Sequence, residues 1–212
     1  MKWLSSHWQR PRGGPDLAAV TRRFVAVDLE TTGLDPRTDA IVALAAVPFV
    51  EREPQPGLVM LVQPGRPIPP ASTAIHGITD EMVAAAPTVR PALSALEAAL
   101  GPDVVVGHGV GFDMAVIARE RRANRLHPLK SPTLDTRQLA AALHPDWADV
   151  GLDAVAARLG IAIMGRHTAR GDAVAAGQIL LALLPALTAQ GLKTVPELVW
   201  FQGRAPLESG HG

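Results

Sequence analysis

The sequence predicts an α/β domain built on a mixed five-stranded sheet flanked by helices. Three observations lead there. Three strand-like runs come first, "RFVAVDL", "AIVALAAVPFV" and "GLVMLVQP", and their short connections favour an antiparallel meander. Two further apolar runs, "DVVVGH" and "PTLDT", then alternate with helical segments, which places helices against the sheet. The chain has 212 residues, 48% of them hydrophobic and 19% charged, enough for one sizeable core and short for two.

Residues 1–22 precede the first strand. They carry Lys2, Arg10, Arg12 and Arg22 with Trp3 and Trp8, and Pro and Gly recur at 11–15. This reads as a basic, partly ordered arm whose tryptophans pack on the domain; a strip that touches nucleic acid is the sharper alternative. Residues 23–188 hold the strands and most helices. "ITDEMVAAAP" is a short helix with Thr79 as its cap and Asp80 and Glu81 in its first turn. A longer helix runs from Thr88 to Leu100 and stops at Gly101. "FDMAVIARERRANR" is another, and its arginines at 119, 121, 122 and 125 read as a solvated face. "RQLAAAL" and "LDAVAARLG" follow, and the last long helix begins near Thr168. Its apolar stretch, 173–187, is too short for a membrane span and is interrupted by Gln178 and Pro185, so a buried helix is expected. Residues 189–212 form a C-terminal segment. In it Thr194 and Glu197 have capping-box spacing for a short docking helix, with a flexible end beyond.

Composition removes several function classes. Lys+Arg and Asp+Glu both total 20, so no global field draws in a polyanion, and nucleic-acid binding must rest on a local site. The absence of cysteine excludes disulfides, thiolate zinc sites and cysteine nucleophiles. "MKWLSSHWQR" lacks the apolar core of a signal peptide, so a cytoplasmic protein without a membrane partner is expected.

The chemistry lies in the acids. On a strand, residues i and i+2 share a face, so Asp28 and Glu30 present two carboxylates side by side where the first strand leaves the sheet. Unpaired, they would repel one another and be costly near a core. A divalent cation resolves that conflict, and hard oxygen ligands suit magnesium or manganese. Asp113 ends a glycine-rich loop where a helix starts, beyond a strand that can lie beside the first. His167, in a glycine-flanked loop, precedes Asp172 in the opening turns of the closing helix. Singly, each has an ordinary structural explanation: an N-cap, a surface histidine, a dipole-facing aspartate. Together, in order, they make a site.

At these residues the chain resembles the DEDDh family of 3′–5′ exonucleases, the group that includes the proofreading epsilon subunit of bacterial DNA polymerase III. The first family motif, Asp-x-Glu-Thr-Thr-Gly, is matched by Asp28, Glu30, Thr31, Thr32 and Gly33. The second, His-Asn-Ala-x-Phe-Asp, is matched at His108, Phe112 and Asp113, with Gly109 and Val110 replacing the usual Asn and Ala. The third, His-x-Ala-x-x-Asp-Ala, is matched at His167, Ala169, Asp172 and Ala173, with Arg170 where an apolar residue is usual. "IHGITDEM" and "GLDAVAARLGI" are similar to family segments as well.

The resemblance implies an RNase H-like fold and two divalent cations about 4 Å apart. Asp28 would bridge both, Glu30 and Asp172 would complete one site, and Asp113 would support the other. His167 would be the general base, since an imidazole of pKa about 6.5 serves near neutral pH. The sister branch uses tyrosine there, and this chain has none. Backbone groups at Thr31, Thr32 and Gly33 would seat the terminal nucleotide, Leu34 would pack on its base and His76 would line the same pocket. Arg170, opposed to a helix dipole, would face substrate phosphate. His108 is read as ordering its loop, and Asp135 as structural. The implied activity is hydrolysis of phosphodiesters at single-stranded or frayed 3′ ends, DNA in the first instance, releasing nucleoside 5′-monophosphates. An RNA-trimming enzyme and a non-catalytic, polymerase-associated module of the same fold are the alternatives. The tail shows no clear clamp-binding peptide, so association with a DNA polymerase has no support from these residues.

Overall fold

The first apolar run becomes β1 (Arg23–Thr31), and β2 (Ile41–Val50) folds back on it, with Asp28 opposite Ala45 and Glu30 opposite Ala43. The structure, a computed structural model, describes residues 10, 11 and 13–205. On the far side of β2 lie β3 (Glu53–Pro54), paired with Phe49 and Val50, and β4 (Leu58–Leu61), paired with Ala43–Ala46, both antiparallel. On the other side of β1, β5 (Val105–Gly107) and β6 (Thr133–Asp135) continue the sheet in parallel. The order β3-β2-β1-β5-β6, with β4 paired to β2, makes an open mixed sheet. It has one short strand more than the five expected. Glu51 and Arg52 both adopt positive φ, 48° and 74°, and turn the chain tightly enough for Glu53 and Pro54 to pair back on β2.

Period-two alternation on β1 sorts its side chains into two cores. Val25, Val27 and Leu29 pack with Leu93 and Leu96 of α4 (Val89–Leu100) and with Val116 and Ile117 of α5 (Gly111–Ala123). Phe24 and Ala26 face the opposite layer, which is built on α8 (Ala169–Ala189) with α6 (Thr136–Leu143) and α7 (Leu152–Arg158) beside it. Asp28 and Glu30 continue that second set. The strand therefore aims them at α8 before any chemistry is considered.

Helix α8 is longer than the stretch read from the sequence and passes through both Gln178 and Pro185. By length and composition it could cross a membrane, but 61% of its most apolar window is buried, and it lies on β1 and β2. It is a core helix of this domain. Against it sits Phe49, stacked on Phe24 with ring centroids 4.7 Å apart. A Cβ at Gly177 would overlap the Phe49 ring, so only glycine lets the helix settle on that pair.

Three features depart from the sequence expectations. Residues 17–22 are not arm but helix α1 (Leu17–Arg22), capped by Asp16, with Leu17 and Val20 buried. Leu17 N–H donates to Lys193 O (2.9 Å), and Val195 N–H donates to Pro15 O (3.0 Å), so the two ends of the described chain lie together. The arm residues Lys2, Trp3, Trp8 and Arg12 lie outside the described residues, as does the expected flexible end beyond Ala205. A second unexpected helix, α2 (Pro70–His76), precedes α3 (Asp80–Val83) and starts with a proline at its first position. Finally, Arg119 and Arg121 are not a solvated face. Arg119 donates to the Pro36 and Asp39 carbonyls, and Arg121, 1% exposed, pairs with Glu97 at 2.8 Å and donates to His127 O. At the C-terminal end, the capping box of α9 (Val195–Gln202) forms, with Thr194 and Glu197 exchanging hydrogen bonds. Leu198 is buried, and Gln202 accepts from Asp135 N–H (3.0 Å).

Replacing Gly177 tests the packing of this layer. We expect Gly177→Ala to lower stability by about 1–3 kcal/mol in urea denaturation, because the Phe24–Phe49 pair must shift. Unchanged stability would show slack between α8 and β2.

Candidate active site

The C-terminal edge of the parallel strands is where loops open a site in sheets of this kind. A register shift between Glu30 and Thr31 interrupts the β1–β2 ladder there, a bulge of the sort that re-aims side chains. Asp28 and Glu30 stand before it, half-buried. Opposite them Asp172, in the first turn of α8, is 7% exposed. Thr168 caps the helix through the Gly171 N–H (3.1 Å), which sets where that first turn begins. One carboxylate oxygen from each of Asp28, Glu30 and Asp172 lies within 4.8 Å of the others.

Asp113, in the first turn of α5, is 6% exposed and points to the same edge. Its Oδ1 accepts from Leu29 N–H (3.0 Å), a bond that ties α5 to the strand between the two acids of β1. It lines the cleft with them but is not one of the close trio.

Burial raises all four proton affinities, and repulsion from neighbouring acids adds to it at Asp28, Glu30 and Asp113. Asp28 is pushed well above the usual carboxylate range, by burial first and then by Asp113, Asp172 and Glu30, against a smaller pull from Arg166. Glu30 rises to about 7, mainly by burial. Asp113 also rises to about 7 by burial, restrained by its backbone hydrogen bonds. Asp172 is raised by burial and drawn back by Arg166 and His167. Its Oδ1 is buried without a hydrogen-bond partner. An orphaned carboxylate oxygen facing two more acids is the donor set a hard divalent cation takes, so the residues fit the cofactor read from the sequence.

Arg166 is the residue that sequence reasoning missed. Its Nη1 donates to Asp172 Oδ2, its Nε donates to Asp153 Oδ1 (2.8 Å), and Nη1 also lies 3.2 Å from His167 Nδ1. Its position directly before His167 was visible, but nothing in the spacing says which way the loop turns it. His167 has a left-handed backbone (φ 61°), and its exposed ring does not line the cleft, whereas Arg166 does. Arginine offers donors only, so at this contact His167 Nδ1 is the acceptor. Arg170 is exposed and not part of the cleft lining, so the phosphate role expected of it is not where the structure places it.

The cleft itself is open, with a volume of about 400 Å³. Thr31, Gly33, Leu34 and His76 line it with the acids, and Ile75 of α2 stands beside them. Leu34, 88% exposed, and Ile75, 57% exposed, form an apolar lip. Thr32 lies behind that lip, buried; its Oγ1 donates to Asp39 (2.9 Å) and accepts from Ala40 N–H (3.0 Å), and its carbonyl accepts from Ser72 (2.8 Å). A Cβ on Gly33 would lie 2.6 Å from Asp39 Oδ2, so a side chain there would push on the carboxylate that Thr32 and Asp35 N–H hold. His76 Nδ1 accepts from Ile78 N–H (3.0 Å), and burial lowers its pKa. His108 is held at both ring nitrogens, by Thr136 Oγ1 and Val150 O (each 2.9 Å), and burial pushes it down to about 4; it orders its loop and has no lone pair for a metal. Asp135 caps α6 and accepts from Gly109 N–H (2.9 Å), a structural task. Past Gly109, Phe112 and Arg137 the cleft continues into a second concavity of about 660 Å³, lined also by Trp147 and Gln138.

Comparison with known proteins gives the family and the fold. The family model described as Exonuclease (RNase_T) matches residues 25–180. A "DNA polymerase III subunit epsilon-like protein" of Rhodobacter capsulatus is 43% identical over 192 residues, covering 86% of this chain and 27% of that protein. A PolC-type DNA polymerase III of Latilactobacillus sakei is 32% identical over 79% of this chain, which spans 12% of it. Among solved structures, exonuclease X in complex with 5′-overhanging duplex DNA shares the fold with a TM-score of 0.65 and 24% identity, over 85% of this chain and 99% of that one. E. coli exonuclease I with a dT13 oligonucleotide gives 0.68 and 18% identity, over 80% and 42%. The matched family segment contains all four acids and His167, and the chain belongs to this exonuclease family of nuclease hydrolases, with an RNase H-like fold.

Proposed function

We propose that the protein is a divalent-metal-dependent 3′–5′ exonuclease that removes nucleoside 5′-monophosphates from single-stranded or frayed ends, DNA in the first instance. One observation carries the reading: carboxylates from β1 and α8, far apart in the chain, meet within 4.8 Å at a cleft with an apolar lip. Support for DNA comes from the solved relatives whose structures hold DNA oligonucleotides. The polymerase III names of the sequence relatives favour a replicative partner, although the chain spans only 27% and 12% of those two proteins.

Asp28, Glu30 and Asp172 would hold one magnesium or manganese ion, with Asp113 supporting a second beside Asp28. Bound there, the cations supply Lewis acidity and neutralise charge at the phosphodiester. The chain's own residues do the rest. Leu34 and Ile75 take the terminal base on their apolar surface, and His76 closes that side of the cleft. The Thr31–Gly33 turn is kept rigid by Thr31 Oγ1 donating to Gly33 O (2.6 Å) and by the Thr32–Asp39 pair. A paired end must unstack to reach this lip, so single strands and frayed ends are favoured. His167 is the general base in this reading. To accept water's proton it must present a lone pair, and the Arg166 contact at Nδ1 has to open first.

Cleavage of 5′-labelled single-stranded DNA and RNA of matched sequence tests the activity. The expected result is a metal-dependent ladder that shortens from the 3′ end, stronger on DNA. We expect Asp28→Ala to reduce it at least about a hundredfold, and His167→Ala to reduce turnover by about 10²–10⁴ while metal still binds. A ladder confined to RNA would reassign the substrate; no cleavage with either metal would reduce the protein to a binding module.

The raised carboxylates also set a pH dependence. Glu30 rises from an ordinary 4.5 to about 7, so the folded state keeps a proton that the unfolded chain has lost, and stability falls as pH rises through that interval. His108, lowered to about 4, acts oppositely below its ordinary 6.5. Asp113, raised to about 7 as well, adds to Glu30, so the two acids outweigh His108 and the net decline should show between about pH 4.5 and 7 in chelator. Thermal melts should fall across that range, recover on adding manganese, and fall less steeply in Glu30→Gln. A melt that rises with pH in chelator would contradict the burial of these acids.

A further inference from the structure

Arg166 stands between two carboxylates of unlike surroundings. The side chain of Asp172 is 9% exposed and belongs to the acidic trio, whereas Asp153, at the start of α7, is 66% exposed. The guanidinium reaches both at once, Nε to Asp153 and Nη1 to Asp172, and adds His167 Nδ1. The loop that presents it is pressed onto the helix start: a Cβ on Gly171 would overlap the Gly165 carbonyl, so the approach depends on glycine. Arginine does not lose its proton in proteins, so this is a permanent positive charge seated on Oδ2 of the carboxylate whose Oδ1 is free for a cation at the trio. A divalent cation and a guanidinium on the same carboxylate repel each other. Asp153 gives the guanidinium a second acceptor on the solvated side, reached without moving the chain.

We propose that Arg166 is a displaceable counter-ion: it pairs with Asp172 when no divalent cation is bound and retreats onto Asp153 when one binds, releasing His167 Nδ1 as it goes. Metal loading and readiness of the base are thereby coupled through one side chain. The inference rests on the reading that the trio binds a divalent cation. It goes further, because it states what the cation must displace and where the displaced charge goes.

Manganese titration calorimetry on wild type, Arg166→Gln, Asp153→Asn and the double variant, with thermal melts in chelator, separates the two. Removing the competing charge is expected to tighten manganese binding about tenfold or more, while Arg166→Gln melts lower than wild type in chelator. Asp153→Asn should weaken binding severalfold, and it should have no effect in the Arg166→Gln background. Arg166→Lys, which keeps the charge, should bind near wild type and controls for folding. Equal or weaker binding by Arg166→Gln would overturn the inference and leave Arg166 as a fixed support for Asp172. If neither wild type nor Arg166→Gln binds manganese, the metal reading of the trio falls and takes the inference with it.

Discussion

The constraint on which the structure turns is the repulsion among Asp28, Glu30, Asp113 and Asp172, four carboxylates gathered at one edge of a largely buried sheet. Nothing about a hydrophobic core favours such a gathering. The fold enforces it through local backbone interactions: the alternation of β1, the Leu29 N–H bond to Asp113 and the Thr168 cap of α8. Three elements, β1, α5 and α8, carry the acids, and their packing sets where the carboxylates meet. The strain appears as raised proton affinities and as the orphaned Oδ1 of Asp172. A bound cation, or the Arg166 guanidinium, relieves it.

That division of labour explains what sequence can and cannot reveal. Asp28 and Glu30 were legible because a strand has period two, and the apolar run around them leaves no doubt about the strand. Asp113 and Asp172 were legible as helix starts, since glycine-rich or capped loops precede both. The meander, the parallel strands and the capping box of Thr194 and Glu197 follow from equally local rules. Helix α1 was hidden because Pro and Gly at 11–15 suggested an irregular arm, while its stability comes from burying Leu17 and Val20 and from bonds to residues 193 and 195, which no local pattern shows.

Arginines misled for a related reason. Their charge is local, but what they touch is set by folding. Arg121 sits in a run that looks solvated, yet its fork satisfies Glu97 and two carbonyls inside the α4–α5 packing. Arg170 looked suited to a phosphate, yet the first turn of α8 leaves it exposed, and the neighbouring Arg166 enters the cleft instead. His167, between the two arginines, has a left-handed backbone, and Arg166 lines the cleft where the histidine does not. Any account of the base must therefore include that loop as well as the histidine.

The central claim is that the converging carboxylates exist to hold a cation. Anomalous diffraction from crystals grown with manganese addresses it most directly. The account predicts a strong peak bonded to oxygens of Asp28, Glu30 and Asp172. Crystals saturated with manganese that show no peak at that edge of the sheet, or only peaks elsewhere on the surface, would contradict it.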